Sequence, residues 1–451
     1  MSSPASGRSQ RALLPGCPRV HALALALAAT IGCAGSDRDR RWVSAALEAR
    51  GFDARGLEGT SGGEEVVRVG AVLDETDVAA LALAASPTYR AELTRIDAAR
   101  ADLDEASRPA NPQITLAAAL GPISAFATLL APLESLWQIP LRTEAAARAL
   151  ASIAESLVQG GLDVVRDARL AHAELVLAET RVVIVREVAA AWTELASIAR
   201  ARAEAGEVSP AEAALVQAQA SAGLDAVQVQ EHDVRIASAR LAALLGLEAD
   251  RVLHARFAHE PEELPTLEAL LASARASRPD VQASELAMGA AAARAGWERS
   301  RVIALAAQIE GHWTQPDTLA MRLGARLELP IFSANQGGIG RAEAEARRSE
   351  ALLEATRVRV SREVVEAHAR AMRAEASLRA FRETVLPQLE EAHRVAARGF
   401  AIGEETQNVA LDALRQLGEA RLREAELVAE AHRAEAELER AVGARLHGGR
   451  S

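Results

Sequence analysis

The sequence contains no lysine. Its 51 basic residues are all arginine and face 62 acids, leaving a formal net charge of -11. That balance excludes the basic footprint by which nucleic acid is usually held. Cysteine occurs only at Cys17 and Cys33, which excludes a disulfide scaffold. Aromatic residues make up 3% of the 451 positions, so the core is not built on large rings. No stretch reaches the ~20 apolar residues that a membrane-spanning helix needs. Catalytic groupings are missing too. The ten His are scattered, and none pairs with another four residues on with an acid between them. His254 and His259 read as solvated linker residues rather than metal ligands. Four Met and two Cys form no soft-metal relay. The segment Asn335-Gln336-Gly337-Gly338-Ile339-Gly340 lacks the Lys-Ser/Thr ending of a phosphate loop and reads as a flexible strand-to-helix joint. No enzyme activity, cofactor or metal site is expected.

What is present begins with a leader. Arg8, Arg11 and Arg19 precede an apolar run at 20–32, the order of a secretory signal, and the run is too short to span a bilayer. It ends at Thr30-Ile31-Gly32-Cys33-Ala34, which resembles the lipobox of bacterial lipoproteins, although Thr30 stands where Leu is usual. Residues 1–32 are therefore read as a lipoprotein-type signal peptide, with Cys33 the lipidation site and 33–70 an N-terminal segment. Ordinary signal cleavage, with Cys33 discarded or idle, and a misassigned start are the alternatives. By that resemblance, Ala34 rather than Asp after the Cys sorts the protein to the outer membrane.

The chain then repeats itself. Pro87 recurs as Pro279, Pro140 as Pro330, Gly206 as Gly403, and Leu245-Gly246 as Val442-Gly443, in the same order and at nearly the same offset. This divides the chain into a first repeat at 71–246, a Pro-containing linker at 247–265 and a second repeat at 266–445. Each repeat reads as helix, strand pair, very long helix, turn and shorter helix. The strand pairs fall at about 112–141 and 302–331.

In the second pair, Ile303, Leu305, Ile309 and Trp313 share one parity while Gln308, Glu310 and His312 share the other. Farther on, Leu323 and Leu327 face one way, with Arg322, Arg326 and Glu328 opposite. The first pair repeats this more weakly, as Ile114 and Leu116, then Leu133, Trp137, Ile139 and Leu141. Strands greasy on one side and polar on the other suit a transmembrane barrel, with lipid outside and water inside. The expected lipid-facing residues are Ile303, Leu305, Ile309, Trp313, Leu323 and Leu327. The expected lumen-facing residues are Gln308, Glu310, His312, Arg322, Arg326 and Glu328. Four strands cannot close a barrel, and an open edge in lipid leaves backbone groups unsatisfied. Three copies supply twelve strands, so a homotrimer is the simplest closure.

Helical segments from Thr143 to about Arg202 and from Gln336 to about Arg398 would each run roughly 90 Å, far beyond the ~30 Å hydrocarbon layer, and must project as a tube. Pro387 should bend the second. The hairpin tips comprise Gly206, Glu207, Ser209 and Glu212 in the first repeat, and Gly403, Glu404, Glu405 and Thr406 in the second. Ser209-Pro210-Ala211-Glu212 is a capping box, whereas Thr406 has no acid three residues later. These tips are the expected docking mouth of the tube, and their acids are expected to ring it.

With these pieces in place the chain resembles the outer-membrane efflux protein family, the TolC-like trimeric channels, in its lipoprotein branch that serves drug and heavy-metal pumps. The resemblance is carried by Leu329-Pro330-Ile331-Phe332, Asn335 to Ile339, Leu386-Pro387, Arg398-Gly399-Phe400 to Gly403, Leu411-Asp412-Ala413 and Val442-Gly443. It implies a mainly α fold with short transmembrane β-hairpins, in which a trimeric twelve-stranded β-barrel continues into a long periplasmic α-helical barrel. It also implies a passive exit channel of a tripartite pump. The implied partners are two sibling copies, a periplasmic adaptor, an inner-membrane transporter of the resistance-nodulation-division type and outer-membrane lipid. A periplasmic coiled-coil adaptor with a small soluble sheet, and a duct for type I secretion, are the alternative functions.

Overall fold

The computed structural model describes residues 38–58, 72–118, 124–260, 264–314, 318–402 and 404–446. The signal segment, Cys33 and Gly403 lie outside the described residues.

A short helix α1 (Arg40–Glu48) and a 3-10 turn precede β1 (Val72–Leu73). The first half continues with α2 (Glu75–Ala85), α3 (Pro87–Ser107), β2 (Gln113–Ala118), β3 (Ser124–Pro132), α4 (Ser135–Glu204) and α5 (Pro210–Leu244). β4 (His254–Ala255) follows, and then α6 (Leu267–Ser277), α7 (Pro279–Ser300), β5 (Ala304–Thr314), β6 (Thr318–Glu328) and α8 (Gln336–Ala380). A π-helical turn at Phe381–Val385, α9 (Leu386–Ile402) and α10 (Gln407–Val442) complete the described chain. No described helix is long and apolar enough to cross a membrane.

At 70 residues α4 extends about 105 Å. Its buried positions are largely Ala, Val and Leu, small enough to let neighbouring helices approach closely. In each half a pair of shorter helices lies alongside the long one, butted end to end. Gly246, just after α5, has φ +67°, and a Cβ there would lie 2.5 Å from the Ala85 carbonyl oxygen and 3.2 Å from Pro87 Cδ. Gly443 takes φ +88° beside Pro279 and Arg278, where a Cβ would find ordinary contacts of 3.5 Å. A left-handed backbone explains glycine at both joints, and close approach adds to it at Gly246 alone. Each helix-opening Pro lacks the N–H that a first-turn position would leave unpaired in any case.

Around the first joint, Leu73, Val78, Leu175, Leu241 and Leu253 form one apolar cluster. On its side toward the four-stranded sheet, Leu47, Tyr89, Ile96, Leu150 and Leu157 form another, with the Tyr89 hydroxyl donating to the Leu157 carbonyl at 3.0 Å. The second half has its own core from Val281, Val360, Val364, Leu427 and Leu438. There the Arg278 guanidinium is fully buried, donating to Asp280, to Glu363 at 2.7 Å and to the Ala441 carbonyl at 2.6 Å. Burial alone would raise the Glu363 carboxyl. The bonded Arg278, with Arg440 and Arg359 beside it, instead holds it below the ordinary value.

Several expectations are corrected. The first strand pair does not reach 141: β3 ends at Pro132, and Trp137, Ile139 and Leu141 lie on α4, which carries Pro140 within its second turn. Leu133, Trp137 and Leu141 are four apart, so their spacing suits a helix as well as it suits a strand. Pro330 instead lies in the non-helical stretch between β6 and α8, so the two Pro occupy different structure. β6 also stops at Glu328, short of Ile331. Pro387 is accommodated by the π turn that precedes it. The segment at Asn335 is a pinned joint rather than a flexible one: Asn335 adopts φ +57°, and its amide donates to the Glu298 carbonyl at 2.9 Å and carboxylate at 2.8 Å.

Candidate membrane-spanning sheet and helix tips

The four long strands form one antiparallel sheet in the order β2-β3-β5-β6. β3 pairs with β5, so the hairpins of the two halves are joined within one chain. Directly paired residues share a face, and the register therefore sorts the sheet completely. Leu305 opposes Leu327, Ile309 opposes Leu323, and Trp313 opposes Leu319. The same face continues through the pairs Leu129 with Ile309 and Ile114 with Leu129; it carries no charged side chain on any of the four strands, and its one polar atom is the indole N–H of Trp313. The opposite face holds Gln308, His312, Glu310 in register with Arg322, Arg326 opposite Ala306, and Glu328 opposite Ala304. It also holds Thr115 paired with Thr128. The two faces thus carry the expected residue sets intact, except that Ile303 lies one position before β5.

Nothing in the described chain covers the greasy face. Leu116, Met321 and Leu323 are 75%, 71% and 83% exposed. A soluble protein buries such a surface or pairs it with a partner. Both outer strands, β2 and β6, present an unpaired edge. An edge of unbonded N–H and C=O groups joined to an apolar face is unstable both in water and in lipid until another strand meets it.

The tips lie at the far ends of the long helices. Gly206, at φ +79°, ends the first hairpin in a Schellman-type turn, with the Glu207 N–H donating to the Arg202 carbonyl at 2.9 Å. Ser209 caps α5 reciprocally: its hydroxyl accepts from the Glu212 N–H at 3.2 Å, while the Glu212 carboxylate accepts from the Ser209 N–H at 3.0 Å. Thr406 stands at the start of α10 with no side-chain cap bond. Glu404 and Glu405 direct their backbone N–H groups to the Gly399 carbonyl at 2.9 and 3.2 Å. The Arg202 guanidinium lies 4.9 Å from the centre of the Phe400 ring, which brings the two tips together. Glu207, Ser209, Glu212, Glu404, Glu405 and Thr406 are all exposed.

The two linker histidines differ. His254 is exposed, as expected, with Nδ1 2.7 Å from the Glu179 carboxylate, whereas His259 enters a largely buried cluster with His432 and Glu435. A His-x-x-Glu spacing on α10 was the available signal, since residues three apart share a helix face.

Residues 270–444 match the family model described as outer membrane efflux protein. No curated protein matches the sequence. Solved structures share the fold. A membrane protein from Pseudomonas aeruginosa is similar with a TM-score of 0.70 at 20% identity, over 82% of this chain and 92% of that one. The outer membrane protein VceC from Vibrio cholerae gives 0.69 at 19% identity, over 83% and 97%. The open state of the MtrE outer membrane channel from Neisseria gonorrhoeae gives 0.65 at 18% identity, over 82% and 89%.

Proposed function

We propose that this chain is one third of an outer-membrane efflux channel, a homotrimer whose three four-stranded sheets close a twelve-stranded barrel. The observation that carries the reading is the uninterrupted apolar face of a sheet with two open edges. Closure by sibling copies satisfies both edges at once, and bilayer covers the greasy face. The match of residues 270–444 to outer membrane efflux proteins supports the same reading.

In this channel the long helices continue the barrel into the periplasm, and the tips meet an adaptor and an inner-membrane transporter. Conduction is passive. The chain supplies a water-filled path and the transporter supplies the energy. Gln308, Glu310, His312, Arg322, Arg326 and Glu328 line the lumen, where water solvates their charge. Ile303, Leu305, Ile309, Trp313, Leu323 and Leu327 face lipid. Glu207, Glu404 and Glu405, each present three times, form acidic rings that favour cations. Cys33 carries the lipid anchor. A periplasmic adaptor with a small soluble sheet accounts poorly for Leu116, Met321 and Leu323, which no other part of the described chain covers.

Paired cysteines on the two edges test closure, with Leu116→Cys on β2 combined in turn with cysteines at 319, 321, 323 and 325 on β6. Oxidation is expected to give covalent trimers in the outer-membrane fraction at one register. A chain that stays monomeric in detergent, and cross-links at none of these positions, would refute the reading.

A further inference from the structure

At the joint where the shorter helices of the first half meet, segments far apart in sequence bring ionisable groups together. Glu75 opens α2, His259 comes from the linker, His432, Glu435 and Glu439 lie on α10, and Arg169 lies on α4. His259 Nε2 is 3.5 Å from Glu435 Oε1, His432 Nδ1 is 4.0 Å from Glu435 Oε2, and His432 Nδ1 is 3.4 Å from Glu75 Oε1. The donor atoms of His259, His432 and Glu435 all lie within 4.8 Å of one another.

Two buried atoms of this cluster lack hydrogen-bond partners. His432 and Glu75 are each 3% exposed, yet neither His432 Nδ1 nor Glu75 Oε1 makes a hydrogen bond, although the other Glu75 oxygen accepts from the Ala258 N–H at 3.1 Å. A buried polar atom left in this way is destabilising unless something satisfies it. Phe257 stacks flat on the His432 ring, 3.7 Å between centroids and 4° between planes, and fixes where Nδ1 points.

Charge points the same way. Three carboxylates, Glu75, Glu435 and Glu439, face the single guanidinium of Arg169. Arg169 is engaged by Glu439, and its other nitrogen stands 3.7 Å from Glu435. Arg445 is at the rim, donating to the Thr76 hydroxyl at 3.3 Å. More carboxylates than guanidinium groups, packed around a buried His432 Nδ1 that makes no hydrogen bond, form a setting suited to a cation. With two nitrogens and carboxylate oxygen as donors, and no thiolate, the set matches a borderline divalent ion. Bonds of about 2.0–2.1 Å in tetrahedral geometry put ligand atoms roughly 3.4 Å apart. The 3.4 Å His432–Glu75 and 3.5 Å His259–Glu435 separations meet that, whereas His432 lies 4.0 Å from the other Glu435 oxygen and the three-residue set spans up to 4.8 Å, so metal binding requires the side chains to draw in by up to about 1.4 Å.

We propose that His259 Nε2, His432 Nδ1 and the Glu435 carboxylate form a divalent-metal site of the zinc type, with Glu75 at the fourth position. Such an ion fastens the linker to α10 and to the start of α2. His259, the most exposed of the four, is the side of entry. The site lies apart from the sheet and tips, and its role is to clasp rather than to conduct.

The test uses the full chain purified in detergent, stripped with chelator and re-equilibrated with Zn2+. Wild type is expected to retain one zinc per chain by elemental analysis, to unfold at a higher temperature with zinc than without, and to give intense tetrahedral d–d bands with Co2+. His259→Gln and Glu435→Gln should each lose the stoichiometric metal and the thermal shift, while His254→Gln keeps both. His259 is partly exposed, so its variant is expected to fold, and its helical circular dichroism checks that it has. Absence of stoichiometric zinc in wild type, or zinc retained undiminished by folded His259→Gln, would overturn the proposal. Loss of the metal in His254→Gln would overturn it as well.

Discussion

Leu323 is the middle residue of β6, which has 11 residues. At ~3.3 Å per residue such a strand is about 36 Å long, and tilted by ~45° it covers about 25 Å, the height of the apolar band of a transmembrane barrel. Leu323 is on the apolar face and 83% exposed, and in the proposed barrel it falls near the bilayer midplane. An Arg at that depth costs roughly 2–4 kcal/mol in each copy, or about 6–12 kcal/mol per trimer. Ala320 lies on the same strand but on the other face, paired with His312 and diagonal to Glu310. Ala320→Arg should therefore cost little. The pair separates a lipid-facing surface from a merely exposed one, because in water both substitutions are tolerated at the surface of a strand. The assay is the yield of heat-modifiable trimers in the outer-membrane fraction, together with the urea midpoint of trimers refolded into vesicles. Leu323→Arg should deplete the trimer and lower the midpoint, while Ala320→Arg stays close to wild type. Equal behaviour of the two variants, or greater damage from Ala320→Arg, would refute the assignment of faces.

Three further outcomes follow from the helices. Gly246→Ala places a Cβ in a left-handed backbone and 2.5 Å from the Ala85 carbonyl oxygen, whereas Gly206→Ala meets the same backbone strain with nothing within 4 Å. Thermal melts should show a loss of about 1–2 kcal/mol for Gly206→Ala and a larger one for Gly246→Ala. Ser209→Ala removes a reciprocal cap and should cost about 1 kcal/mol, while Thr406→Ala, which loses no side-chain bond, should cost less in denaturant titrations. Glu363 has a folded pKa below its unfolded one, so the unfolded chain binds more protons on acidification. Its contribution is complete above the ordinary Glu value near ~4.3 and is lost as pH falls through the depressed folded value. The melting temperature of Glu363→Gln should fall less steeply than that of wild type over that acid limb.

The second hairpin was legible because Arg322, Arg326, Glu310 and Gln308 stand between large apolar residues, and a period of two is unmistakable when the two sets differ so sharply. The first hairpin was harder to read. β3 is Ser-Ala-Phe-Ala-Thr-Leu-Leu-Ala-Pro, with Phe126 and Leu130 on the polar face, so its alternation is nearly invisible. Sequence attention moved instead to Trp137 and Leu141, whose four-residue spacing belongs to α4. The capping box at Ser209 and the positive-φ glycine at 206 were local, and local chemistry is readable. The histidine cluster was not. Its members come from the linker, α2, α4 and α10, and only tertiary packing brings them together.

The end-to-end joints at Gly246 with Pro87 and Gly443 with Pro279 have a mechanical consequence. Each long helix crosses the level of the joint without a break, the π turn of the second lying farther along, whereas its companion column is two rods in abutment. Compression passes through an abutment, but torsion does not, because no covalent backbone crosses it. Rotation of the segments near the tips about their own axes can therefore stop at this level, leaving the strand-bearing end in place.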